Sequence, residues 1–456
     1  MTATAEVHTG GDGAPRASRR ALVAGSVGNF IEWYEFGVYG YFATIIAARF
    51  FAPEGASDIE ALVKTYASFA LAFFFRPVGA ALFGRVGDRV GRRPTLILVV
   101  LLMTAATATI GLLPTYDTVG AAAPWLLTLV RVVQGLSAGG EFGGAVSVMT
   151  ESAPPGRRGL YGAWQSFTVA LGLLAGAGLA ALAATVLSED ALHDWGWRLP
   201  FLLAVPLGAA ALWLRLRLEE TPSFRRSTGR APGGAQTGAP RGRADRTAAA
   251  TAWRRPSTAE TLRAIVLGVG RLMGWSAAGY TFLVVMPSYL QTGLGASFRE
   301  ALVATVVANA GFASAILPAG ALSDRIGRRA VMCAGTVLLV VLAFPLLNLL
   351  QDPASSTAVK SAAVFAAGAA VGLLAGPGPA MLAEMFPTTV RYTGLGLAYS
   401  LSNAVFSGSA GLVVTELIKR TGDLDVPAWY VVVVCAAGLP ALLTLRSDDH
   451  RRALRD

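Results

Sequence analysis

Residues 84–93 read GRVGDRVGRR, and residues 320–329 read GALSDRIGRR. Both fit the frame G-x-x-x-D-R-x-G-R-R, and they lie 236 residues apart. A second echo, Glu151 to Arg158 against Glu384 to Arg391, recurs at an offset of 233. Two paired echoes at nearly equal offset indicate duplication of one unit. The string itself describes a tight, charged reversal between two helices. Gly87 and Gly91 permit a sharp turn. Asp88 can cap the following helix or pair with a nearby arginine. Arg89, Arg92 and Arg93 hold the turn in water. The second copy supplies Asp324, Arg325, Arg328 and Arg329 in the same places.

The segments around these strings are strongly apolar. Of 456 residues, 54% are hydrophobic and only 14% charged, against about 25% charged in a soluble domain. Mean hydropathy is +0.54. This excludes a soluble enzyme, a disordered chain and a disulfide scaffold. Cys333 and Cys435 form no C-x-x-C, and His8, His193 and His450 all lie outside the apolar runs. Zinc hydrolases and histidine-based triads are therefore not expected, nor is any metal or cofactor. No G-x-x-x-x-G-K-[ST] occurs, so ATP does not drive this protein and a gradient must.

A helix needs about 20 apolar residues to cross a bilayer. Twelve such stretches follow in order: 20–49, 60–86, 93–113, 121–150, 157–187, 197–217, 261–291, 298–323, 328–350, 356–385, 389–417 and 427–446. The first reads as a span and not a cleaved signal. The fold class is an all-α membrane protein of twelve transmembrane helices in two six-helix pseudo-repeats. Residues 1–19 are an N-terminal tail and 20–218 the first bundle. Residues 219–260, rich in Arg, Gly, Ala and Pro, are a flexible linker. Residues 261–446 are the second bundle and 447–456 a tail. The N-terminus, the even-numbered loops and the C-terminal tail hold 28 of the 38 Lys and Arg, and the odd-numbered loops hold 7. Positive charge stays inside, so both termini are expected in the cytoplasm. Topology accounts for the basic segments without nucleic acid.

An ionisable residue inside a span is a functional candidate by default. On the first span Asn29, Glu32, Glu35 and Tyr39 share an arc of about 120°. A carboxylate taken out of water loses the solvation of its charge, which suits a group that takes up and releases a proton. On the fourth span Arg131, Gln134 and Glu141 share one face. Arg131 and Glu141 are about 15 Å apart along the axis, too far to pair directly. Gly135, Gly139 and Gly143 recur every four residues and admit a close neighbour. Arg76 and Arg271, in the second and seventh spans, could bind a substrate carboxylate. Trp275 and Tyr280 could face a quaternary ammonium group. Gln165 joins the candidate binding set, with a helix-bridging hydrogen bond as its other reading. Three acids against three arginines suit a zwitterion or a carboxylate moving with a proton.

Further strings point to a family: GNFIEWYEFGVYGY (28–41), RPVGAALFGRVGDRVGRRP (76–94), RVVQGLSAGGEFGGA (131–145), DWGWRLPF (194–201), LEETPSF (218–224), MPSYL (286–290) and AEMFPTTVR (383–391). Together they resemble the metabolite:proton symporters of the major facilitator superfamily, which include proline/betaine, α-ketoglutarate, citrate and shikimate carriers. The resemblance covers roughly residues 20–446. It implies proton-coupled uptake of a small metabolite across a plasma membrane by alternating access, with no enzymatic step. It assigns Arg131 to proton coupling or substrate gating; Glu32, Glu35 and Glu141 join it as proton-coupling candidates on their place within the spans. Glu35 stands where relatives more often carry Asp. Glu151 with Arg158, and Glu384 with Arg391, read as ion pairs of a gate. An osmolyte is slightly favoured over an organic acid. A sodium-coupled carrier and a non-transport membrane protein remain the other readings.

Overall fold

Long apolar helices dictate the architecture, because backbone polar groups in hydrocarbon must be satisfied within the segment. The computed structural model describes residues 14–53, 57–90, 92–139, 142–151, 153–216, 257–448 and 451. Within these, twelve long helical stretches run in chain order. In the first half they are α1 (14–51, a π-helical end at Ala47–Phe51), α2 (Asp58–Val90), α3 (Arg92–Leu112), α4 (Ala122–Ala138 and Phe142–Glu151), α5 (Arg158–Val186) and α6 (Arg198–Leu202 and Ala204–Leu216). In the second they are α7 (Thr258–Tyr280, Thr281–Val285 as π-helix, Met286–Leu294), α8 (Phe298–Ile326), α9 (Arg328–Gln351), α10 (Thr357–Ala375 and Gly378–Met385), α11 (Thr388–Ser402, Asn403–Gly408 as π-helix, Ala410–Thr421) and α12 (Val426–Leu443). Ser257 and Ser297 start α7 and α8 with complete capping boxes, which satisfy amide donors that a helix start leaves free.

Eight of these stretches are long and apolar enough to cross a membrane by length and composition alone. Helices α1, α4 and α7 are not among them, and they carry Glu32, Glu35, Arg131 and Arg271. The apolar part of α3 is the shorter Ile97–Leu112. Most of the expected linker, 219–256, lies outside the described residues, as does Glu141; the side chains of Asp88, Arg89, Arg92 and Arg93 are also outside the description.

The duplication is visible in the packing. A Cβ on Gly135 would lie 1.9 Å from the Ala72 carbonyl oxygen, and one on Gly139 would lie 2.0 Å from that of Arg76. Helices α4 and α2 therefore cross with backbones in contact, as small residues allow. The second half repeats this crossing between α10 and α8. A Cβ on Gly368 would be 1.9 Å from the Ala308 oxygen, and one on Gly372 2.9 Å from the Phe312 oxygen. The glycines differ by 233 residues and their carbonyl partners by 236, the same two offsets as the sequence echoes. Phe312 thus occupies in the second half the place of Arg76 in the first.

The halves meet at both ends of the bundle. At the end bearing the two tight turns, the contacts are ionic and exchanged. Arg391 of the second half lies 2.8 Å from Glu151 of the first, and Arg158 of the first lies 3.5 Å from Glu384 of the second. Arg328 also reaches Glu384 at 3.1 Å and Asp324 at 2.8 Å. Asp324 accepts from the backbone amides of Gly159 and Leu160 at 2.7 and 2.9 Å, an acidic cap on the positive N-terminal end of α5. The gate residues of the sequence reading thus pair across the halves. Arg325 is exposed and Arg329 half-buried, and neither enters these ion pairs. At the opposite end hydrogen bonds between neutral side chains join the halves, with Glu60 in electrostatic reach of Lys419. Thr44 donates to Gln291 at 3.1 Å, and Tyr66 and Ser288 share a hydrogen bond of 2.7 Å.

Two outcomes follow. Gly135→Ala should lower thermal stability in detergent by about 1–3 kcal/mol through overpacking, whereas Gly178→Ala, with open space at its Cβ, should leave it unchanged or raised. Glu384→Gln removes a carboxylate facing two arginines and should loosen the turn-bearing end. A cysteine replacing buried Ser166 in a cysteine-free background should then react with a water-soluble maleimide at least tenfold faster. Glu151, 44% exposed, forms a weaker pair, so Glu151→Gln should change that rate less than threefold. Equal effects of the two variants would contradict this assignment.

Candidate functional site

Two buried charge systems sit side by side in the first half. Glu32 of α1 lies 3.0 Å from Arg76 of α2, and both are almost fully enclosed. The Arg76 guanidinium is 4.2 Å from the Phe36 ring centre, 4.3 Å from that of Phe73 and 5.5 Å from that of Trp33. Aromatic faces attract a cation strongly once water is gone. The second system is a directed chain of hydrogen bonds. Arg131 of α4 donates to Gln134, Gln134 donates to Thr107 of α3 at 2.8 Å, and Thr107 donates to Glu35 at 2.6 Å. Every donor points from the cation towards the carboxylate. Arg131 also lies over the Tyr39 ring at 4.1 Å and over Phe36 at 5.1 Å.

The polar stripe of α1 therefore divides. Glu32 and Glu35, three residues apart, take separate partners on α2 and α3. Asn29 turns to a third helix, donating to the Gln165 carbonyl oxygen at 3.0 Å and to Thr168 of α5 at 2.7 Å. Gln165 returns a bond to Asn29 at 3.2 Å, so this pair bridges α1 and α5. Tyr39 donates to the Thr65 carbonyl oxygen at 3.4 Å.

A small cavity lies between the halves beside these charges. Its wall includes Trp33, Val169 and Leu173 from the first half, and Trp275, Tyr280, Phe312, Tyr399, Asn403 and Ser407 from the second. The open space is about 30 Å³. That is room for about two waters and too little for an amino acid, so the two ends are drawn together around a collapsed site. Tyr280 ends the first part of α7, where the helix widens to π, and Asn403 and Ser407 lie in the π segment of α11. Such bulges redirect side chains and recur at functional sites. Trp33 and Tyr280 have ring centres 6.0 Å apart, as Trp275 and Tyr399 do at 6.1 Å. The Tyr280 hydroxyl is buried and has no hydrogen-bond partner among the described residues.

Trp275, Tyr280 and Arg76 are thus brought to the cavity region. Arg271 is not. It donates to the Ala441 carbonyl oxygen at 3.2 Å and to Thr444 at 2.8 Å. The Ala441 oxygen also accepts from the Thr444 amide and hydroxyl, so Arg271 joins the capped end of α12. Thr107, Trp33 and Tyr399 escaped the sequence reading. A lone threonine in an apolar helix carries no signal, and an aromatic residue there reads as packing.

A family model described as Sugar (and other) transporter matches residues 21–445. The proline/betaine transporter of Escherichia coli K12 is 34% identical over 433 residues, 95% of this chain and 84% of that protein. The citrate-proton symporter of Salmonella typhi is 33% identical over 432 residues, 93% of each. Among solved structures, the major facilitator superfamily proton:xylose symporter bound to 6-bromo-6-deoxy-D-glucose superposes with a TM-score of 0.75 over 94% of this chain and 95% of that one, at 20% identity. Twelve helices in two equivalent halves, a site between them and these likenesses agree: the chain belongs to the sugar (and other) transporter family, has the major facilitator fold, and is a membrane transporter and not an enzyme.

Proposed function

We propose that this protein couples the downhill entry of a proton to uptake of a small carboxylate-bearing metabolite, with a zwitterionic osmolyte such as proline or glycine betaine favoured. The observation that carries this reading is an aromatic cavity between the halves beside a buried acid–base pair. Aromatic faces suit an alkylated ammonium group, and a guanidinium suits a carboxylate. The proline/betaine transporter among the relatives supports the same substrate class. The citrate-proton symporter, at nearly equal identity and coverage, supports an organic acid as the second reading.

The protein is placed in the plasma membrane with its turn-bearing end and both termini in the cytoplasm, as the charge bias of the loops requires. Segment 219–260 is then a cytoplasmic linker between two bundles. Alternating access follows from the two kinds of junction. The buried ion pairs at one end and the hydrogen-bonded contacts at the other open in turn around the site. Arg131, Glu35 and the intervening Gln134 and Thr107 form the rest of the coupling machinery.

The test is transport into proteoliposomes in sodium-free buffer with no imposed gradient other than the solute. Proline, glycine betaine, α-ketoglutarate, citrate and shikimate are added in turn while external pH is recorded. Alkalinisation with proline or glycine betaine is the expected result. Alkalinisation with citrate or α-ketoglutarate alone would move the assignment to the second reading. Signal only after sodium is added would overturn proton coupling.

A further inference from the structure

Arg76 has two claims on it. It holds Glu32 at 3.0 Å, yet its Nε and Nη2 atoms make no hydrogen bond among the described residues. Nη2 is the atom that faces Glu32, so the pair is held by charge and Nε is the donor to spare; Nε of Arg131 likewise makes no hydrogen bond among the described residues. The arginine stands against Trp33, which lines the cavity, and against Phe73, whose ring is 5.3 Å from that of Tyr280. Its counterpart in the repeat, Phe312, lines the same cavity from the other half. Position 76 therefore lies one side chain behind the cavity wall, against Trp33, and holds a cation where the other half holds a hydrocarbon ring. The Tyr280 hydroxyl, in that wall, is another donor without a partner among the described residues.

From this arrangement we infer that Arg76 is a shared ligand: Glu32 holds it in the empty carrier, the substrate carboxylate takes it in the loaded one, and Glu32 accepts the transported proton as it lets go. The proposal rests on the symport reading above and assigns its coupling step. The charge placed against Arg76 favours it, because the substrate's ammonium group is held on the faces of Trp275 and Tyr399 and away from Glu32. Buried carboxylate and guanidinium are tolerable as a pair, but removing one partner leaves an uncompensated charge at high cost. When a substrate carboxylate binds Arg76 with help from Tyr280, Glu32 would be left as a second anion on one cation. Taking one proton from water returns the site to a single anion facing a single cation. One carboxylate therefore brings one proton, and the substrate's ammonium group is left to the faces of Trp275 and Tyr399.

The groups that surround Glu32 agree with this division. Arg76 comes from α2, Tyr280 from α7 and Tyr399 from α11, both tyrosines being within electrostatic reach of Glu32. Arg131 of α4 reaches the same Phe36 ring as Arg76. Glu35, one turn along α1, has its carboxylate bound to Thr107 and through it to Arg131. It keeps that partner whether or not Arg76 changes hands.

The experiment measures protons taken up per substrate bound, by calorimetry of the full-length detergent-purified protein in buffers of different ionisation enthalpy. The probe is whichever carboxylate the proteoliposome assay shows to be carried. Wild type should take up close to one proton, and Glu32→Gln none while still binding at high pH. Glu32→Asp should regain uptake and so guards against misfolding. Tyr280→Phe should weaken binding about fivefold without changing the proton count. Continued proton uptake in Glu32→Gln would overturn the inference and leave proton symport standing. Failure of the whole panel to be transported would instead sink the symport reading on which the inference rests.

Discussion

A charge deep inside a helix bundle has to be matched, and this molecule is organised around matching four of them. Glu32 with Arg76, and Glu35 with Arg131 through two neutral relays, fill the centre of the first half. The rings of Phe36, Phe73, Tyr39 and Trp33 surround the two guanidinium groups and exclude water from them. In so dry a place the attraction within each pair is large, and so is the penalty for breaking one without replacement. That penalty can hold the carrier to a coupled exchange. Glycine backbone contacts between α2 and α4 bring Arg76 and Arg131 within range of the same ring.

Duplication supplies the frame, and divergence supplies the chemistry. The crossing of α2 on α4 recurs in α8 on α10 with the same carbonyl partners. Yet Phe312 stands for Arg76, and Val364, 233 residues after Arg131, stands for Arg131. The first half is thus the charged half. The second contributes aromatic and hydroxyl groups to the cavity wall. The gate shows the same economy. One acidic and one basic position, copied once, give two ion pairs when each half's acid meets the other half's base. Buried ion pairs join the halves at one end, and hydrogen bonds between neutral side chains join them at the other.

Much of the fold was legible in the sequence. Most of the twelve helices end within a few residues of the apolar runs, because apolar length is the physical requirement for spanning. Pairing was less legible. The echo at Glu151 and Glu384 marked two acid–base positions, but nothing local says that Arg391 reaches across to Glu151. Helical periodicity put Glu32 and Glu35 on one face, and they are on one face. It could not show that two different helices approach that face and divide them. Arg271 lay in a span and read as a ligand; the capped end of α12, far off in sequence, takes it through Ala441 and Thr444. Thr107 could be found only from its neighbours, since a hydroxyl in an apolar helix more often bonds its own backbone.

The central claim is that substrate and proton move together, one for one, through the Arg76 site. The most direct measurement is current across a supported membrane of proteoliposomes when a zwitterionic substrate is added without sodium. The account predicts an inward positive current in wild type, one charge per solute, and solute movement without current in Glu32→Gln. Entry of labelled solute in wild type with no current, or an undiminished current in Glu32→Gln, would contradict it.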